Sequence, residues 1–346
     1  MAENRPSIKD VAARAGVAVG TVSNVLNRPD IVAERTRQTV LDAIEQLGFS
    51  RNEVARQLRS GSSTSIAMVV MDVSNPFFTD LYAGAEQHAL EQGYSIQLSN
   101  SGNRPERESA HLAVFEQQRV RGILLVPTDN ARDNIARLRE HGIPTVLVDR
   151  VMNDEDACSV SVDDLTGGRL AMEHLIASGH RRIAFVGALT TLRQVRDRLA
   201  GAREALTSAD TPVDFVEFAT DGLDAHSGRA AAEQIVRLPT SKRPSAVFAA
   251  NDMVALGVLQ GFVLAGIRVP DDIALVGYDD IDFAASAAVP LSSVRQPRHD
   301  MGFAAAELLF RERADRDDGI QHEHRHVRFT PELIVRDSSA RPARSS

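Results

Sequence analysis

Apolar positions in residues 7–48 recur at helical spacing in three short stretches. Ile8, Val11, Ala12 and Ala15 form the first stripe. Ser7 stands where an N-cap belongs, with Asp10 three residues on in the acidic first turn. Gly16-Val17 interrupts the stripe, and glycine supplies a turn that residues with a Cβ resist. Val22, Val25 and Leu26 make the second stripe, Asn27-Arg28-Pro29-Asp30 a loop, and Val40, Ile44 and Leu47 the third, ended by Gly48. Two helices meeting across a glycine turn, with a third behind them, make a helix-turn-helix. Residues 52–59 hold one more short helix, too short to be stable alone, followed by a Gly/Ser stretch.

From Ser65 the pattern changes to short, nearly continuous apolar runs at 65–72, 94–99, 122–127, 144–149, 182–187, 246–251 and 273–279. Helical stretches such as 78–92, 105–118, 165–178 and 253–265 lie between them. Buried strands joined by helical crossovers predict parallel sheets covered on both faces, here as two doubly wound lobes. The last residues, 339–346, read as a disordered tail.

At 346 residues the chain is too long for one ordinary core, and 43% apolar with 25% charged residues suits a soluble globular protein. No apolar run approaches the roughly 20 residues of a membrane span, and the start lacks a signal core, so a cytoplasmic protein without membrane partners is expected. Cys158 is the single cysteine, so no internal disulfide forms; it reads as a packing residue. Residues 1–62 carry nine Lys/Arg against seven acids, a net of +2, which leaves -10 of the total -8 on the remainder. A mildly basic head on an acidic body suits a head that meets phosphate and a body that stays off it.

Enzyme signatures are missing: there is no G-x-S-x-G elbow, Walker loop or H-E-x-x-H. The acid pairs Asp163-Asp164 and Asp279-Asp280 are chain neighbours whose side chains diverge, so no two carboxylates are expected to face one substrate. The run His322-Glu323-His324-Arg325-His326 places alternate residues on one strand face, but no fourth ligand is evident. It reads as a solvated loop, and no metal or cofactor is assigned.

The segments DVAARAGV, TVSNVLN, TR--V--AI--LG and N-VAR-L in the head, and NPFF, GGRLAMEHLIASGHRRIAFVG, RLAG, ANDMVALG, VGYDD and QP in the body, resemble the lactose-repressor (LacI/GalR) family over nearly the whole chain. The resemblance implies a helix-turn-helix headpiece at 1–50, a hinge at 51–64 and a ligand-sensing body at 65–338 with a periplasmic-binding-protein-like fold. Its first lobe is expected to take 65–162 plus 292–325, its second 163–291 plus 326–338. Ala18–Asn27 becomes the recognition helix in the major groove, where Thr21 and Ser23 hydrogen-bond phosphate or base edges and Asn24 pairs bidentately with adenine. Val19 and Gly20 depart from the family's longer polar readers; Val19 can touch a thymine methyl, and Gly20 lets the backbone come close. Ala18 replaces the usual capping Ser, a loss of ~1 kcal/mol. Leu58 is the residue that wedges into a minor-groove step, with Asn52 and Arg56 beside it, and two heads on a dimer read a near-palindrome.

In the body the resemblance places Phe77, Phe78, Arg150, Gln194, Arg198, Asn251, Asp279 and Gln296 around a small-molecule effector. Several of these follow strand C-termini, where open α/β sheets bind ligands. Carboxylate, guanidinium and amide together suit a hydroxyl-rich, sugar-like effector. The implied function is a repressor released from duplex operator DNA by that effector. Two alternatives stay open: a corepressor-dependent regulator answering to a purine or nucleoside, and an activator. Leu58→Ala is expected to weaken operator binding roughly a hundredfold, since the wedge offsets a few kcal/mol of unstacking. Effector affinity should not move; equal operator Kd for variant and wild type in a fluorescence-anisotropy titration would remove the wedge role.

Overall fold

The computed structural model describes residues 6–49, 63–128, 132–150, 157–188 and 192–340, and divides into two compact units at Ser62/Ser63. The predicted hinge residues Asn52, Arg56 and Leu58 lie outside the described residues.

The first unit contains α1 (Ile8–Ala15), α2 (Val19–Asn27) and α3 (Glu34–Leu47). Asp10 reaches back to accept from the Ser7 amide at 2.7 Å, which satisfies one orphan donor of α1. Gly16 and Gly48 end α1 and α3 at φ of 67° and 60°, the left-handed region where a side chain is strained. Ala18 caps α2 with no side-chain bond, as its missing hydroxyl dictates. Val11, Ala12, Val22, Val25, Val40 and Ala43 make the small core, with Leu26, Ile44 and Leu47 packed at its edge.

The second unit holds two six-stranded sheets. One is ordered β2-β1-β3-β4-β5-β11, where β1 is Ser65–Val70, β2 Ser95–Asn100, β3 Ile123–Leu125, β4 Thr145–Val148, β5 Ser159–Val162 and β11 His326–Phe329. Its pairings are all parallel. The other is ordered β7-β6-β8-β9-β10-β12, where β6 is Arg182–Gly187, β7 Asp214–Ala219, β8 Ala246–Ala249, β9 Ala274–Asp279, β10 Ser292–Arg295 and β12 Glu332–Ile334. Here β12 alone runs antiparallel, against β10. Helices α4 (Pro76–Glu91), α5 (Pro105–Gln117), α6 (Arg132–Glu140), α7 (Asp164–Ala177), α8 (Arg193–Thr207), α9 (Ala225–Arg237), α10 (Asp252–Leu264), α11 (Asp282–Ser286) and α12 (Arg298–Asp317) supply the crossovers and cover the sheets.

Two lobe boundaries differ from expectation. Ser292–Arg295 pairs with β9 and so belongs to the second lobe, while His326–Phe329 pairs with β5 and belongs to the first. The chain therefore changes lobe three times, at Asp163, at Gln296-Pro297 and at residues 330–331. Asp163 fixes the first crossing: its amide donates to Phe329 O, its carboxylate caps α7 through Thr166 N, and Arg328 pairs with it at 2.7 Å. The body also runs beyond the expected boundary at residue 338. Ser338 and Ser339 are buried, and Ser339 bonds both His174 and Ser292, so the body extends at least this far.

Helices pair over the sheets by close approach at small residues. A methyl group on Gly168 of α7 would strike the Arg198 carbonyl oxygen, and one on Gly201 of α8 the Leu165 carbonyl oxygen. The same reciprocal contact joins α9 to α10 through Gly228 and Gly257, and α4 to α12 through Gly84 and Gly302. Backbone cannot step aside as a side-chain tip can, so each pair is held at one separation. Gly201→Ala is expected to destabilise the body by about 2–3 kcal/mol; a chemical-denaturation midpoint unchanged from wild type would contradict this close packing.

Candidate functional site

Between the lobes lies a cavity of about 450 Å³. Its walls come from the C-terminal ends of seven strands: Asp72, Asn75, Phe77 and Phe78 after β1, Asn103 and Arg104 after β2, Asp149 after β4, Gln194 and Arg198 after β6, Asp221 and Asp224 after β7, Asn251 after β8, and Asp279 closing β9. In each sheet the chain reverses winding beside its first strand, and there the strand ends part to leave a crevice.

Asn75 shapes the first wall. Its carboxamide oxygen accepts from Phe77 N at 3.0 Å and, with Pro76 at the first helical position, starts α4. Phe77 and Phe78 then sit edge to face, 5.0 Å between centroids, and are almost wholly buried. Their exposed edges give the cavity an apolar side.

Arg198 organises the opposite wall. It is 4% exposed, donates to Asp164 Oδ1 at 2.8 Å and to Ala250 O at 2.7 Å, and lies 3.7 Å over the Tyr278 ring. Asp279 Oδ1 is 3.8 Å from its Nη1. Burial opposes its charge, yet Asp164 and the other nearby acids hold the guanidinium above its ordinary value. The carboxylates are affected in the other direction. Burial, helped by the charge of Asp164, pushes Asp149 up to about 8, against the pull of Arg198 and the Gln194 hydrogen bond. Burial pushes Asp279 up to about 6. Asp149 is therefore largely protonated at neutral pH.

Asp149 also spans the cleft. Gln194, on the second lobe, donates to Asp149 O at 2.9 Å and to its Oδ2 at 3.0 Å. Asp149 adopts φ 58°, which turns its side chain into the cavity. Its Oδ1 is buried with no hydrogen-bond partner among the described residues. A second bridge is Arg298 of the first lobe, which donates to the Asp279 carbonyl at 3.0 Å and pairs with Asp80 at 2.9 Å.

Of the sequence-predicted effector residues, Phe77, Phe78, Gln194, Arg198, Asn251 and Asp279 meet in this cavity. Two do not. Arg150 follows the turn at Asp149 away from it, donates to Thr128 O and lines a separate pocket with Asp164 and Arg328. Gln296 lies behind Asp279, donating to its Oδ1 at 2.7 Å from a buried position at the second lobe crossing. Asn251 is partly committed as well, capping α10 at Val254 N and donating to Leu223 O. Sequence reading missed Asp149 as a cavity residue, although it stands at a strand end beside Arg150. It also missed the Asp221–Asp224 wall, because β7 alternates exposed and half-buried residues and gave no apolar run. The expectation that no two carboxylates face one site does not hold for acids apart in sequence: Asp149 and Asp279, from different strands, line one cavity.

In the first unit, α2 presents Val19, Gly20 and Asn24 to solvent, with Thr21 and Ser23 half-buried. Among the described residues nothing packs within 4 Å of where a Gly20 side chain would lie. Asn27, not singled out beforehand, donates to the Ser23 carbonyl at 2.8 Å and sits at 3.2 Å from its hydroxyl, holding Ser23 in place on this face.

A helix-turn-helix unit joined to a two-lobed body with an interlobe cavity defines a DNA-binding regulator governed by a small molecule. Residues 7–52 match the pattern of bacterial regulatory proteins of the lacI family, and residues 172–339 match the periplasmic binding protein-like domain. The HTH-type transcriptional repressor PurR of Actinobacillus pleuropneumoniae serotype 3 (strain JL03) is 33% identical over 96% of this chain and 98% of its own length. PurR of Haemophilus influenzae (strain PittEE) is 34% identical with the same coverage. A lac repressor dimer bound to operator and the anti-inducer ONPF superposes with TM-score 0.81 at 27% identity, over 97% of this chain and 99% of that one. A CelR–cellobiose complex gives TM-score 0.69 at 33% identity over 96% and 100% of the two chains. The chain belongs to the lacI family of bacterial regulatory proteins, and is a DNA-binding transcriptional regulator with an effector-binding body.

The raised carboxyls have a thermal consequence. Between its ordinary value of 3.8 and about 8, folded Asp149 keeps a proton that the unfolded chain releases. Its contribution to stability is thus fully present below pH 4 and lost as pH rises to 8; Asp279 acts likewise up to about 6. Asp149→Asn is expected to shrink the fall in Tm between pH 5 and pH 8. An identical fall in variant and wild type by scanning calorimetry would sink this assignment.

Proposed function

We propose that the protein is a homodimeric repressor, acting at the nucleoid in the cytoplasm, that is released from its operator by a sugar or sugar derivative. It acts by binding alone, without catalysing a reaction on its effector. The observation that carries the effector class is the cavity wall: acids, amides and a guanidinium converge from both lobes, and the protonated Asp149 presents a carboxyl oxygen with no hydrogen-bond partner among the described residues. A polyol both donates and accepts at each hydroxyl, so it can meet acceptors such as Asp72, Asp221 and Asp279 and donors such as Arg198 in one pose. The edges of Phe77 and Phe78 suit its C–H face. The CelR relative solved with cellobiose binds a ligand of this class.

The effector bridges the lobes and favours one closure angle, which the three crossings transmit to the chain leading to the head. On the DNA, α2 enters the major groove, with Asn24, Ser23 and Thr21 as polar readers and Val19 and Gly20 as the close apolar contact.

The experiment is a footprint of the purified protein on its own upstream DNA, followed by panels of sugars and of purines. One sugar is expected to raise operator Kd at least about tenfold, a differential of ~1.4 kcal/mol or more between closure states. Tighter operator binding with a purine base or nucleoside, and no response to sugars, would replace release by corepression.

A further inference from the structure

Away from the cavity, the residue preceding β5 meets the segment that joins α12 to β11. Cys158 is buried there, with its Sγ 3.2 Å from His322 Nε2 and 3.7 Å from His324 Nδ1. Glu312, on α12, adds a carboxylate, and one ligand atom from each of the four lies within 4.8 Å of every other.

We propose that Cys158, Glu312, His322 and His324 hold one Zn²⁺ ion. One thiolate, two imidazoles and a carboxylate form the mixed set that zinc takes in tetrahedral coordination. A tetrahedron with Zn–S ~2.3 Å and Zn–N ~2.0–2.1 Å has S···N edges of about 3.6 Å, and the two measured distances fall either side of that edge. Two further observations point to a cation. The Glu312 side chain is 5% exposed and its Oε2 has no hydrogen-bond partner among the described residues; its other oxygen reaches Arg316 at only 3.9 Å. A buried carboxylate is tolerated when paired or bound to metal. His322 is 6% exposed and its Nδ1 lies 2.6 Å from Asp315 Oδ2. That contact fixes the Nδ1–H tautomer and turns the Nε2 lone pair toward Cys158, the outer-sphere arrangement common to histidine ligands of metals.

The sequence reading set this histidine run aside as a solvated loop without a fourth ligand. The fold supplies what that reading lacked: Cys158, remote in sequence, and Glu312, near the end of the preceding helix α12, join His322 and His324, while His326 turns instead to Ser159 Oγ at 2.8 Å. None of the four lines the interlobe cavity. The ion would pin the α12–β11 connection to β5, directly before the chain crosses into the second lobe at 330–331. It is thus a structural staple on one of the three lobe connections.

The test is a titration of metal-free, tag-free full-length protein with Co²⁺ and Zn²⁺. About one Co²⁺ per chain is expected, with a thiolate-to-metal charge-transfer band and the strong visible bands of four-coordinate cobalt. Cys158→Ser should lose the charge-transfer band, and Zn²⁺ should raise the Tm of wild type by several degrees but not that of this variant. Asp315→Asn keeps all four ligands and should lower affinity about 10–100-fold while retaining the band, which keeps the test decisive if Cys158→Ser fails to fold. A six-coordinate cobalt spectrum only, or a charge-transfer band undiminished in Cys158→Ser, would overturn the site.

Discussion

One buried guanidinium sets the geometry of the body. An arginine 4% exposed must have its charge answered nearby, because water cannot answer it. Arg198 meets Asp164 at the start of α7, the Ala250 carbonyl after β8 and Asp279 at the end of β9. Those groups belong to separate elements, so satisfying one side chain draws several strand ends to one point. The approach is possible only because Gly168 lets α8 lie against α7 at backbone contact, next to Arg198 itself. Packing and electrostatics are here one constraint.

The same constraint sets the protonation of the cavity wall. One cation shared among several acids leaves the acids under-compensated, and burial then raises Asp149 and Asp279. A protonated Asp149 can be bridged by an uncharged glutamine, Gln194, without stranding a charge between the lobes. Gln194 to Asp149 and Arg298 to Asp279 and Asp282 bridge the lobes through polar groups. Polar bridges of this kind can be exchanged for bridges through a ligand, which is how differential binding shifts a population. The helix-turn-helix unit has its own small core of valines and alanines and keeps its reading face clear of that core.

Much of the fold was legible along the chain. Strands β1, β3, β4, β6, β8 and β9 are covered on both faces, so they read as continuous apolar runs, and parallel pairing follows from the helices between them. The three helices of the head announced themselves through period, caps and glycine stops. Edge strand β7 and the polar strands β5, β10, β11 and β12 did not, since Ser-Val-Ser-Val or His-Val-Arg-Phe carries no apolar run. Which lobe each late strand joins is a matter of hydrogen-bond partners far away in sequence.

By itself, then, the order of residues determined the three head helices, the buried strands of the body, the two-unit plan and the lacI-family membership, because these depend on local periodicity and on contiguous motifs. Only the tertiary structure decided which of two adjacent residues faces the cavity, Asp149 through its left-handed turn and not Arg150, and that Gln296 supports Asp279 from behind. It alone brought Cys158 and Glu312 to the histidines at 322 and 324. Burial, charge compensation and side-chain direction arise from neighbours distant along the chain, and no local pattern encodes them.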